Sequence, residues 1–163
     1  MQVRENQVNS NNRRNNIRFD ADDISLAATM LEKLSSTIEI MYYLMERGEE
    51  RSFVFMLISA DNADINQLLL NEKHNTDMVF EIDKEKAIYV VICQDTKIDG
   101  GYYFADRVVH HLITDNADNI YCTELEIRVS TYDIKYIIFR LLEVYKEAVR
   151  DEKEGNIIFK TLN

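Results

Sequence analysis

The chain has 163 residues, 46% of them apolar, and a net charge of −10. That is the size and composition of one folded domain with its own core, and it argues against a disordered segment. The acidity disfavours sequence-independent binding of nucleic acid, because phosphate backbones carry the same sign. No apolar run reaches the roughly 18 residues a membrane span needs, and the opening Met1-Gln2-Val3-Arg4-Glu5-Asn6 lacks an apolar signal core. A cytoplasmic protein without membrane association is expected.

Residues 1–20 are rich in Asn, Gln and Arg, which predicts a disordered basic tail or linker ahead of a single domain over 21–163. Arg4, Arg13, Arg14 and Arg18 stand against Glu5 there. Such an arm suits an acidic partner or nucleic acid; the plainer reading is a solvated linker. Asp22 or Asp23 is placed to cap a first helix, and Leu26, Met30, Leu31, Leu34, Ile38, Met41, Leu44 and Met45 recur at helical spacing up to a stop at Gly48. The run from Ser52 to Ser59 is short, continuous and aromatic-rich, as in a strand buried on both faces. Asp61-Asn62-Ala63-Asp64 then opens a short helix over Ile65 to Leu70.

Met78 to Ile82 and Ala87 to Cys93 flank the charged turn Asp83-Lys84-Glu85-Lys86 and predict a hairpin. Asp99 is placed to cap a helix from about Gly100 to Ile113, with Phe104, Val108, His111 and Leu112 on its apolar face. Asn119 to Val129 alternates through Ile120, Cys122, Leu125, Ile127 and Val129, broken by an irregularity near Thr123-Glu124. Ser130-Thr131-Tyr132-Asp133 resembles a capping box for a helix reaching about Lys153, stopped by Gly155, and Ile157 to Phe159 suggests a last short strand. After the first helix this order is the split βαβ pattern: an α+β, ferredoxin-like fold with a mainly antiparallel sheet of four or five strands and helices packed on it.

The chemistry-bearing residues are sparse. Cys93 and Cys122 do not have zinc-ligand spacing; they read as buried free thiols or as a disulfide across neighbouring strands. Adjacent His110 and His111 point about 100° apart on a helix and cannot share one metal. Asp61 and Asp64 suit a hard cation, or cap the helix that follows. Gly100-Gly101 lacks the Lys-Ser/Thr of a phosphate loop. Tyr42, Tyr43, Tyr102, Tyr103, Tyr132 and Tyr136 suit an interface, or ordinary half-buried packing.

The element order, together with Leu57-Ile58-Ser59-Ala60-Asp61, the turn Asp83–Lys86, Ala105-Asp106-Arg107-Val108-Val109, Val144-Tyr145-Lys146-Glu147-Ala148 and Glu154-Gly155-Asn156, resembles the GGDEF, or diguanylate cyclase, domain. The resemblance implies two-metal phosphoryl transfer on a guanine nucleotide, with carboxylates converging from the first strand and the hairpin. The residues depart from that pattern. Ser59 stands where the first metal-binding aspartate would be, and Ala63-Asp64 replaces the phosphate-contacting Phe-Lys pair. The turn has no glycine, and Asp77-Met78-Val79-Phe80 replaces the product-binding Arg-x-x-Asp. The expectation is therefore a degenerate, non-catalytic regulatory module that binds a protein partner or a second copy of itself. Any remaining guanine nucleotide or Mg²⁺ contact would fall to Asp61, Asp64, Asp83 and Glu85. The alternatives are a divergent metal-dependent nucleotide enzyme using Asp61, Asp64 and Glu85, and a small acidic adaptor or immunity-type protein.

Overall fold

The computed structural model describes residues 19–94 and 98–162, without the side chains of residues 98 and 99. The basic tail up to residue 18 and the capping role expected of Asp99 lie outside the described residues.

Helix α1 spans Ala21–Glu46. Its cap is Asp20, not Asp22 or Asp23: Asp20 accepts from the Asp23 backbone N–H, and Asp23 accepts from the Asp20 N–H, each at 2.9 Å. This reciprocal pair satisfies two of the otherwise orphaned donors of the first turn. Phe19, assigned to the tail by sequence, stacks edge-on against Phe139 at 5.2 Å. The helix is capped at Arg47 and followed by Gly48, whose φ of +77° is one that side-chain-bearing residues rarely adopt.

The remaining elements are β1 (Phe53–Asp61), α2 (Ile65–Glu72), β2 (Met78–Asp83), β3 (Ile88–Gln94), α3 (Ile98–Thr114), β4 (Asp118–Ile127), α4 (Ile134–Arg150) and β5 (Ile157–Leu162). The strands form one sheet in the order β2-β3-β1-β4-β5. All neighbours are antiparallel except β4 and β5, joined by the α4 crossover and therefore parallel. This is the α+β architecture expected, with β5 longer than predicted. The cap of α4 is Asp133 alone, accepting from the Lys135 N–H at 2.8 Å; Ser130 and Thr131 precede the helix without capping it.

Side chains alternate between two cores. Phe53, Phe55 and Leu57 of β1 meet Ile88, Val90 and Ile92 of β3 beneath α1 and α4. Val54, Met56, Ile58 and Ala60 meet Tyr89, Val91 and Cys93 beneath α2 and α3. Burial on both faces is why β1 reads as an unbroken apolar run.

The irregularity expected at Thr123-Glu124 is absent. Pairing of β1 with β4 is continuous from Ser59–Tyr121 to Phe53–Ile127, and the register shift lies between Ser59 and Asp61. Ile120 and Cys122 belong to the α2/α3 core, whereas Leu125 and Ile127 belong to the α1/α4 core. The apolar pattern changes parity because two inward positions of the α2/α3 face carry Glu124 and Glu126, both fully buried.

Candidate functional site

The candidate site is the end of the sheet where β1 finishes and the β2–β3 hairpin turns. Ser59 is buried there. Its hydroxyl lies 2.6 Å from the Tyr145 hydroxyl of α4, so the two share a hydrogen bond. Burial, the larger effect, raises the Tyr145 phenol above its ordinary value, although the bond to Ser59 opposes the rise. Tyr121 packs edge-on against Tyr145 at 6.5 Å. Ser59 thus faces the protein interior.

Past the register shift, Asn side chains organise the acidic stretch. Asp61 of β1 lies opposite Asp118 of β4. Asn119 donates its amide to Asp61 at 2.8 Å, and Asn62 donates its amide to Asp118 at 2.6 Å. Both Asn residues have positive φ, +59° at Asn62 and +52° at Asn119, a conformation Asn tolerates better than most residues. The Asn119 backbone N–H also donates to Glu154, just before Gly155, at 2.8 Å. The result is a reciprocal clasp between two Asp-Asn pairs. The repeated Asp-Asn in the sequence is the signal that could have revealed it.

Asp64 is the N-cap of α2 and accepts from the Gln67 N–H at 3.1 Å, which is the capping option of the sequence reading. Asp61 and Asp64 act on different sides of the sheet: the charge of Asp61 bears on Tyr145, that of Asp64 on Tyr89. Asp83 caps its own turn, accepting from the Lys86 N–H at 2.9 Å, and Ala87 closes the turn at φ +50°, where a glycine would be free of strain. Glu85 is exposed at the tip. Among the described residues no three His, Cys, Asp or Glu side chains converge as a metal-binding group.

The tyrosines do not form one face. The Tyr42 hydroxyl donates to the Tyr132 carbonyl at 2.8 Å, and burial raises its phenol to about 12. Tyr132 stacks on exposed Tyr136 at 5.4 Å, and exposed Tyr43 lies beneath the Arg47 guanidinium. Tyr102 and Tyr103 are on α3, across the sheet, where Tyr102 stacks edge-on with exposed Phe159 of β5.

His111 is exposed rather than near the core and pairs with Glu72 at 3.2 Å; Ala105 and Val109 hold the inward positions with Phe104, Val108 and Leu112. Cys93 and Cys122 are free and buried, and β1 separates their strands, so they are not cross-strand neighbours. Burial raises both thiols well above their ordinary range. No helix among the described residues is long and apolar enough to cross a membrane.

Glu124 was missed by the sequence reading. It is fully buried, neither carboxylate oxygen has a hydrogen-bond partner among the described residues, and burial raises it to about 8. One position along the same face, Glu126 is paired with Arg128 at 2.5 Å.

No protein-family model matches the sequence, and no curated protein matches it. Solved structures do. The active GGEEF domain of a diguanylate cyclase from Vibrio cholerae superposes with a TM-score of 0.63 at 11% identity, over 81% of this chain and 97% of that one. A coiled coil and GGDEF domain from Caulobacter crescentus, in complex with c-di-GMP, superposes with a TM-score of 0.62 at 6% identity, over 98% and 100% of the two chains. A microbial GGDEF domain described with bis-cyclic di-GMP gives 0.56 at 7% identity, over 79% and 92%. With its strand order and its hairpin beside the end of β1, this chain has the GGDEF-type, cyclase-like fold.

Proposed function

We propose that the chain is a non-catalytic regulatory module on a cyclase-type fold, acting by binding a protein partner. The observation that carries this reading is Ser59. Where the resemblance places a metal-binding aspartate, a neutral hydroxyl is buried and bonded to Tyr145. Two-metal phosphoryl transfer needs anionic oxygens converging on the metal ions. Around Ser59, Asp61 is engaged by Asn119, and Asp64 and Asp83 satisfy backbone donors. The glycine-free turn also denies a nucleotide the close backbone approach that glycine permits. Any nucleotide contact retained would fall to Asp61 and Glu85, without turnover. Exposed Tyr43, Tyr103 and Tyr136 offer amphipathic rings to a partner.

Calorimetry with GTP, cyclic di-GMP and Mg²⁺ tests the reading. The expected result is no Mg²⁺-dependent binding of GTP. Mg²⁺-dependent GTP binding that disappears in Asp61→Ala would overturn it in favour of a divergent nucleotide enzyme. Light scattering identifies the kind of partner: self-association indicates a second copy, and a strict monomer at high concentration leaves a foreign protein.

A further inference from the structure

Glu124 points into the α2/α3 core, on the far side of the sheet from Ser59 and Tyr145. Its side chain is fully buried, and both oxygens lack a hydrogen-bond partner among the described residues. It lies directly beneath the start of α3. A Cβ built on Gly101 would stand 2.8 Å from Glu124 Oε2 and 2.9 Å from Val54 Cγ1, so only glycine lets the helix seat this closely. Met56 of β1 and Phe159 of β5 flank Glu124 in register, and neither can hydrate or pair with a carboxylate.

Among the described residues, no cation is placed against it. β3 contributes the Cys93 thiol, with Asp77 behind it, and β4 contributes the Cys122 thiol. On the same face of β4, Glu126 is engaged by Arg128 and lies near the Thr161 hydroxyl of β5. β1 contributes Val54 and Met56 beside Glu124, and the described part of the first turns of α3 contributes Gly101, with the Tyr102 ring against Phe159. An anionic Glu124 would therefore be a buried charge with no compensating partner among the described residues, the most costly state a core position can hold.

We propose that Glu124 and the first turns of α3 form a proton-dependent latch: neutral Glu124 lets α3 seat on the sheet, and loss of its proton lifts those turns so that water reaches the carboxylate. The cost is local because one helix covers the group, and local opening is the smallest motion that hydrates it. Tyr102 and Tyr103 ride on the same turns, so release displaces the aromatic patch they form with Phe159. The latch thereby links an exposed surface to proton concentration. It does not depend on whether the candidate site at Ser59 binds a nucleotide.

Hydrogen–deuterium exchange on the full chain tests the latch. Amides of α3 are followed against pH, corrected for intrinsic exchange, beside those of α1 and α4. The native protein should lose α3 protection by about tenfold per pH unit from pH 6 to 8, with α1 and α4 unchanged. In Glu124→Gln that excess slope should vanish; Glu124→Leu, which needs no proton, should behave likewise and serves if the Gln variant does not fold. Three results would overturn the proposal: no excess slope in the native protein, the same slope in either variant, or loss of α1 and α4 protection in step with α3.

Discussion

The two faces of the sheet bury their side chains equally well but by different means. The α1/α4 face is apolar along β1 and β3, and its polar groups are neutral hydroxyls: Ser59 and Tyr145 satisfy each other, and Thr123 is buried opposite Leu57 without a hydrogen-bond partner among the described residues. The α2/α3 face places two thiols and two carboxylates among its apolar side chains, and Glu124 there has no partner. Burial alone therefore does not distinguish the faces. Ionisability does: neutral hydroxyls keep their state at any ordinary pH, whereas an unpaired acid makes its face sensitive to protons.

The largest effect that sharpens this contrast comes from truncating neighbouring core residues of β1. Phe55→Ala, on the α1/α4 face, should cost about 3–5 kcal/mol, and Met56→Ala, on the α2/α3 face, about 2–5 kcal/mol, both by urea unfolding near pH 6. The Met56 cavity opens beside Glu124, so its cost should shrink at pH 9, where water admitted to the cavity solvates the carboxylate. The Phe55 cost should hold. Equal behaviour of the two variants across pH would erase the distinction between the faces.

Next is the pH dependence of stability. Burial raises Glu124 from 4.5 to about 8, so the unfolded state releases this proton at lower pH than the folded state does. Its contribution is complete below pH 4.5 and is lost as pH rises through 8. Between those limits the native protein should lose up to about 1.4 kcal/mol per pH unit from this group. Glu124→Leu should remove that slope and be the more stable protein at pH 9. An unchanged slope in the variant would mean that Glu124 is already hydrated or paired in the native state.

The smallest effect concerns the neutral pair. Tyr145→Phe or Ser59→Ala leaves one buried hydroxyl unsatisfied and should cost about 1–3 kcal/mol. The double variant should recover part of that loss, a coupling that a double-mutant cycle reads directly. Strict additivity would show that the two hydroxyls do not depend on each other.

Much of this architecture was legible in the sequence because the order of elements follows from period and punctuation. The unbroken run of β1, the charged hairpin turn and the stripe of α1 each carry one clear signal, and Gly48 follows a real helix end; Gly155 does not, because α4 stops at Arg150 and Glu152 takes the left-handed position after it, at φ +53°. What failed had a physical reason. Glu124 and Glu126 occupy inward positions that a binary reading assigns to apolar residues, so a regular strand looked irregular. His111 was placed inward by spacing, although Ala105 and Val109, being smaller, complete the stripe. Asp20 was overlooked as a cap because the composition of the tail appeared to run through it.

At the candidate site, the sequence located Ser59 and the glycine-free turn. It could not reveal that Ser59 turns inward to Tyr145, because that contact joins residues far apart in the chain. The Asp-Asn clasp was legible in principle, since the same pair occurs at the ends of β1 and of the β4 segment. Asp61 drew attention as a possible ligand, and the Asn after it did not.

The most direct test of the central claim is a turnover assay with GTP and Mg²⁺ that follows pyrophosphate release and cyclic di-GMP. A regulatory module with Ser59 in place of the aspartate should produce neither above the protein-free control. Turnover by the native chain that Asp61→Ala abolishes would contradict the account.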